Sequence, residues 1–121
     1  MNRSDFEPLL REIEGIDGID GGAIVDVESG MPWCVSAGIA AEGHLLAEAA
    51  SDYWRMYQRL ARNFESLGEL RASLLVHSNG RLTLLPCGPG LIAVIKSTQQ
   101  NGIDWIALQK RVMDIGSLFS S

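Results

Sequence analysis

Residues 40–67 constrain the fold more than any other part of this sequence. The segment contains no proline, is rich in alanine, leucine, glutamate and arginine, and is followed by Gly68. Apolar side chains that recur at three- and four-residue spacing are typical of an amphipathic α-helix, and a glycine is the usual residue just past its end. The sequence therefore predicts one long helix over residues 40–67.

The apolar side chains of this predicted helix cover more of its circumference than one contact face needs. At about 100° per residue the apolar arc is about 180° wide, whereas packing on one sheet needs about 100°. Either the domain itself wraps the helix or one flank packs on another molecule, and in a chain of 121 residues we favour the second. The central stripe is Leu46, Ala50, Tyr53, Tyr57, Leu60 and Phe64, and the flanks are Leu45, Ala49, Trp54, Met56, Ala61 and Leu67.

Short strand patterns lie on both sides of this helix. A first helix over residues 4–14 begins at Ser4 as its N-cap, and a last helix covers residues 103–119. Turn residues such as Asn79-Gly80 separate the apolar runs, which favours hairpins. The predicted strands are residues 23–27, 33–36, 73–77, 82–86 and 91–95. The order α-β-β-α-β-β-β-α predicts an α+β fold, with a five-stranded antiparallel sheet sandwiched by helices.

Composition and charge narrow the function classes. A length of 121 residues suits one domain over residues 1–121, and a net charge of −5 argues against binding to a nucleic-acid backbone. Apolar runs are far shorter than the roughly 20 residues of a membrane span, and no secretory signal is visible, so we expect a cytoplasmic protein without direct membrane insertion. Charged residues make up 21% of the sequence, below the usual level of about 25%. This low fraction is consistent with a partner that covers part of the protein's surface.

Motifs for catalysis or for metal binding are weak. The glycine-rich residues 15–22 lack the Gly-Lys-Ser/Thr of a phosphate loop and lead into a strand. The sequence contains no His-Glu-x-x-His or Cys-x-x-Cys motif that would make His44 or His77 a metal ligand. Neither Cys34 nor Cys87 has a residue beside it in the sequence that could act as a general base. We therefore predict no catalytic residue, no cofactor and no metal, and an enzyme that uses either thiol is the least favoured hypothesis.

The side of the long helix opposite the apolar arc is charged. Two interpretations stay open for it. It is either a solvated face, with an Asp52–Arg55 contact worth a few tenths of a kcal/mol, or a strip that binds a partner, since arginine is enriched at interfaces. The candidate partner-binding residues are Glu48, Asp52, Arg55, Arg59 and Arg62.

Three stretches of sequence resemble one known family. Residues 16–32, IDGIDGGAIVDVESGMP, resemble the opening hairpin of the Roadblock/dynein light chain family. Residues 76–82, VHSNGRL, and residues 88–95, GPGLIAVI, are similar to its later strands. The predicted order of elements matches the family over nearly the whole chain and carries more weight than any single motif. The fold that the resemblance implies is Roadblock/profilin-like.

The resemblance also implies a function. Family members form homodimers in which the third strand and the long helix of each subunit meet their counterparts. They bind small Ras-like GTPases, which they regulate or scaffold without being enzymes themselves. The alternative is a small-ligand-binding sensor domain of profilin/PAS-like architecture. Carried onto this sequence, the resemblance places eight residues at the dimer seam: Tyr53, Trp54, Met56, Tyr57, Leu60, Arg71, Ser73 and Leu75.

Overall fold

A computed structural model describes residues 5–98 and 102–117 of the chain. The α+β class and the predicted order α-β-β-α-β-β-β-α are confirmed. The helices are α1 (Glu7–Glu14), α2 (Gly43–Arg59) and α3 (Trp105–Ser117). The strands are β1 (Gly21–Asp26), β2 (Pro32–Val35), β3 (Ser73–His77), β4 (Gly80–Gly88) and β5 (Leu91–Ser97).

The five strands form one antiparallel sheet in the order β2-β1-β5-β4-β3. The last three strands are a meander, and a hairpin joins the first two of them, as predicted. Its turn residues are Ser78 and Asn79, because Gly80 already pairs with His77, and neither Asn79 nor Gly80 has a positive φ. The middle strand is β5, which pairs with β1 in a register that places Ile24 opposite Ala93. The edges of the sheet are therefore β2 and β3.

Helices cover both faces of the sheet and create two apolar layers. On one face α1 and α3 pack around Phe6, Leu10, Leu108 and Ile115, all at most 2% exposed. On the other face α2 packs over the central strands, where Ala23, Val25, Leu84, Ile92 and Val94 are buried. Successive side chains of a strand point to opposite faces of the sheet, so each strand can contribute side chains to both apolar layers.

The predicted helix over residues 40–67 is in fact two elements. The α-helix ends at Arg59, and Ala61–Leu67 continue as 3₁₀ turns with non-helical backbone at Phe64. A 17-residue helix is already about 25 Å long, and a six-residue strand about 20 Å, so a longer helix would run past the sheet. The break instead lets the Phe64 ring stack on Tyr57, with ring centroids 4.8 Å apart.

The buried face of α2 is also rotated from the predicted stripe by about 90°. Its buried residues are Gly43, Ala47, Ala50, Ser51 and Trp54. Most of these residues are small, which lets the helix approach the sheet closely. A Cβ at Gly43 would lie only 2.4 Å from a methyl carbon of Val35. Tyr53 and Leu60, predicted at the centre of the stripe, are half-exposed instead.

The structure describes most, but not all, of the residues predicted to form the first and last helices. The first helix begins at Glu7 with Phe6 at its N-cap position, and Ser4 lies outside the described residues. On α3 the predicted buried residues Leu108, Val112 and Ile115 are confirmed, while Phe119 lies outside the described residues. Within residues 5–98 and 102–117, no helix combines the length and the apolar character needed to cross a bilayer.

Candidate interaction surface

One flank of α2 is apolar and exposed. Tyr53, Met56 and Leu60, which we call the α2 flank, are 50%, 43% and 45% exposed. Arg55 contacts the β1–β2 turn, and Tyr53 lies about 160° from it around the helix axis. Tyr53 therefore points away from that hairpin, to the side of the sheet remote from β2, whereas Met56, about 100° from Arg55, points away from the sheet.

The edge strand β3 lies on the side of the sheet remote from β2. It pairs with β4 alone among the described strands, from Ser73 opposite Leu84 to His77 opposite Gly80. Leu75 packs against the apolar layer under α2, whereas Leu74 and Val76 are more than half exposed. An exposed apolar edge strand is a template on which another strand pairs, so this edge is the part of the sheet best suited to association.

The predicted seam residues lie on α2, at its end, just before β3 and on β3, and one of them is buried. Arg71 is exposed just before β3, and Tyr57 is half-buried beneath Phe64. Trp54 is only 7% exposed and packs in the layer with Val25 and Ile92. Its assignment to the seam is therefore corrected, because its side chain belongs to the protein's own core.

The predicted partner-binding strip is divided by the end of the helix. Glu48, Asp52 and Arg55 line a polar pocket of about 210 Å³ together with the β1–β2 turn and His44. Arg59 is exposed at the last position of α2. Arg62 is exposed on the 3₁₀ segment, so it does not continue the helical strip.

Arg55 fixes the β1–β2 turn, a role that the sequence pattern did not indicate. Its Nη1 donates hydrogen bonds to the carbonyl oxygens of Val27 at 2.9 Å and Glu28 at 2.7 Å. Its Nη2 pairs with the Asp52 carboxylate. Within the turn, Asp26 accepts a hydrogen bond from the Glu28 amide at 2.9 Å. Because the carbonyl partners of Arg55 lie 27 and 28 residues away in sequence, no local pattern reveals them.

Replacing Arg55 tests this role. Arg55→Ala is expected to lower the free energy of unfolding by about 1–2 kcal/mol, since two partly exposed charge-assisted hydrogen bonds are lost. Arg59→Ala removes an exposed arginine four residues later and is expected to stay within about 0.5 kcal/mol of the parent. Urea unfolding followed by circular dichroism measures both. Equal effects of the two substitutions would refute a special role for Arg55.

A cleft lies between the end of α2, the 3₁₀ segment and the β4–β5 turn. It has a volume of about 600 Å³. Trp54, Tyr57 and Phe64 contribute to its walls, and Glu65 and Glu69 also line it. The sequence did not predict this cleft, because the prediction of one continuous helix over residues 40–67 did not include the break that brings Phe64 back towards Tyr57.

The two cysteines lie in or beside the layer under α1 and α3. Cys87 is buried and Cys34 is half-buried, and neither forms a disulfide. Burial raises the pKa of the Cys87 thiol to about 12, with a smaller contribution from the charge of Cys34. The described residues contain no cluster of three histidine, cysteine or acidic side chains able to hold a metal ion.

The raised pKa makes the Cys87 thiol inert. At pH 8 a pKa of about 12 leaves about one thiol in ten thousand as the reactive thiolate. Iodoacetamide is therefore expected to leave Cys87 unmodified in the folded protein and to modify both cysteines in concentrated urea. Peptide mass spectrometry measures the modification. Rapid alkylation of Cys87 in the folded state would contradict the burial of this thiol.

Comparisons with known proteins agree with this architecture. A family model described as the Roadblock/LC7 domain matches residues 5–97. Comparison with curated protein sequences finds no significant match.

Several solved structures resemble the chain. Myxococcus xanthus MglB is 12% identical, with 98% of this chain and 90% of that chain covered and a TM-score of 0.81. The gliding protein MglB of Thermus thermophilus is 16% identical, with coverages of 98% and 89% and a TM-score of 0.76. A Roadblock/LC7 domain from Streptomyces avermitilis is 12% identical, with coverages of 93% and 92% and a TM-score of 0.77. Identities this low establish a shared fold only.

Proposed function

Since the chain belongs to the Roadblock/LC7 domain family, we propose that it is a cytoplasmic, non-catalytic homodimer that binds a small Ras-like GTPase and regulates or scaffolds it. The match spans α1, α2 and all five strands. The observation that carries the proposal is the exposed apolar α2 flank together with the exposed apolar edge strand β3. A monomer gains nothing from this arrangement, whereas a symmetric dimer covers both features at once.

In the proposed dimer, the β3 strands of two subunits pair edge to edge and the α2 flanks pack across the two-fold axis. Such an interface is self-complementary, because each subunit presents the same patch. Strand pairing would satisfy the outward backbone groups of β3 and remove an edge that is prone to aggregation. Ser73 and Leu75 supply the strand contacts in this arrangement, and Tyr53, Met56 and Leu60 supply the helix contacts.

The proposed GTPase contact is the polar surface formed by α2 and the β1–β2 turn. Glu48, Asp52 and Arg59 are exposed there and are the side chains best placed to meet charges on a partner. Arg55 is engaged by the turn, so its role in the proposal is to hold the shape of this surface. Complementary charge favours a correctly oriented encounter and excludes wrong partners.

The proposed partner is tested by measuring binding of a purified Ras-like GTPase from the same organism, loaded with GDP or with a non-hydrolysable GTP analogue. We expect binding that depends on the nucleotide and that Arg59→Glu weakens about tenfold, which corresponds to about 1.4 kcal/mol. Lys110→Glu makes the same change of charge on α3 and is expected to have no effect. Failure to bind in either nucleotide state would refute the GTPase proposal.

A small-ligand sensor is the second candidate, and the cleft of about 600 Å³ favours it. Its volume lies within the range of about 300–1,000 Å³ typical of small-molecule sites. A thermal-shift screen against metabolites discriminates between the two functions. Strong stabilisation by one metabolite, with no GTPase recovered by pull-down, would favour the sensor.

A further inference from the structure

A separate pocket lies on the opposite face of the sheet, between α3 and the outer strands β3 and β4. Its volume is about 320 Å³. Leu74, Leu85 and Leu108 contribute apolar walls, and Arg81, Thr83 and Trp105 contribute polar or amphipathic ones. We call it the α3–β3 pocket. It contains no residue of the α2 flank or of the polar surface proposed to bind a GTPase.

Arg81 places a positive charge at this pocket. The central carbon of its guanidinium lies 4.6 Å from the ring centroid of Trp105, the first residue of α3. A cation held over an indole ring is attracted by the negative face of the ring, which orients the side chain. The other described residues that line the pocket are apolar or uncharged, so Arg81 is the charged side chain among them.

Two buried hydroxyl groups flank Arg81 on the same face of the sheet. Ser97 lies directly opposite Arg81 on β5, and Thr83 lies two residues further along β4. Their residues are only 1% and 3% exposed. Neither hydroxyl oxygen has a hydrogen-bond partner among the residues that the structure describes. Folded proteins rarely leave buried hydroxyls unsatisfied. Of the two residues, Thr83 lines the α3–β3 pocket, so a group bound there can reach its hydroxyl.

We propose that the α3–β3 pocket binds a small amphipathic carboxylate. Its carboxylate pairs with the Arg81 guanidinium and accepts a hydrogen bond from the Thr83 hydroxyl, while its apolar body packs between Leu74 and Leu108. A guanidinium has five N–H donors in a planar fork that matches a carboxylate, which explains the preference for this anion. The volume of about 320 Å³ is at the small end of ligand sites, which limits the ligand to a short apolar body.

Octanoate is the probe that tests this proposal, with binding measured by isothermal titration calorimetry. We expect saturable binding, together with a shift of the Trp105 indole N–H signal in nuclear magnetic resonance spectra. Octanol and octylamine have the same apolar body without the anion, and each should bind at least about tenfold more weakly. Acetate has the anion without the apolar body and should not saturate the site.

Three variants locate the site. Arg81→Gln should weaken octanoate binding at least about tenfold, and Thr83→Val about threefold or more, while Lys110→Gln on the exposed side of α3 leaves it unchanged. Thr83→Val preserves the side-chain volume, so it keeps the test valid if Arg81→Gln disturbs folding.

Absence of saturable octanoate binding would overturn the proposal and leave water as the partner of the two hydroxyls. Equal binding of octanol, or full binding by the Arg81 and Thr83 variants, would overturn it as well. None of these outcomes depends on a GTPase.

Discussion

Trp54→Ala is expected to lower the free energy of unfolding by about 3–5 kcal/mol, the cost of removing a buried aromatic side chain and leaving a cavity. Trp54 is 7% exposed and packs with Val25 and Ile92 beneath α2. The expectation follows from the observed orientation of the helix, which turns this side chain into the core. Chemical denaturation followed by circular dichroism measures the effect.

Tyr53→Ala is the matched control, since it removes the neighbouring aromatic side chain, which is 50% exposed. Measured on the monomer at low protein concentration, it should cost less than about 1 kcal/mol. If the two costs were equal, or if Tyr53 were the more costly loss, then α2 would present its predicted stripe to the sheet and the observed orientation would be wrong.

Met56→Glu is expected to convert the proposed dimer into a folded monomer. Met56 is 43% exposed in the single subunit and lies on the α2 flank, where a carboxylate would face its own copy across the two-fold axis. Burying two like charges there should raise the dimer dissociation constant at least about a hundredfold, or about 2.7 kcal/mol. Sedimentation velocity over a concentration series measures the change.

Ile106→Glu is the control for this substitution. Ile106 is 81% exposed on α3, outside the proposed seam, so the same new charge should leave association unchanged. A Met56→Glu protein that stays folded and dimeric would exclude the α2 flank from the seam. Met56 is a better test position than Trp54, because a charge at Trp54 would unfold the subunit.

Local signals in the sequence were sufficient for the order of the elements. The turn at Gly30 is determined by a backbone requirement within a few residues, since Gly30 has the positive φ, 75°, that its turn needs. The sequence Asn79-Gly80 marked the right hairpin, although neither residue has a positive φ. Strand β3 was predicted with its observed bounds because an apolar run lies next to such a turn. The sheet meander follows from the same short-range information.

The orientation and the end of α2 could not be predicted in the same way. An apolar arc about 180° wide is compatible with several faces, and only the closeness of the sheet selects the small residues Ala47 and Ala50 for burial. The helix ends at Arg59 without a proline or a glycine there. Its end depends on the dimensions of the sheet below it and on the Tyr57–Phe64 stack.

The functional surfaces depend on contacts between distant residues. Arg55 reaches the turn that follows β1, and Ser97 lies opposite Arg81 on the neighbouring strand. A residue pattern identifies Arg55 as an exposed charge on a helix but not its carbonyl partners. The buried hydroxyls of Thr83 and Ser97 look in the sequence like ordinary polar residues of strands, so the α3–β3 pocket carries no sequence signal.

If two copies of this chain associate through β3 and the α2 flank as proposed, the mass of the unmodified protein in solution reveals the association without any substitution. Sedimentation equilibrium at micromolar concentrations is predicted to give one species of twice the mass of the chain. A species with the mass of a single chain throughout the concentration series would contradict the proposed dimer.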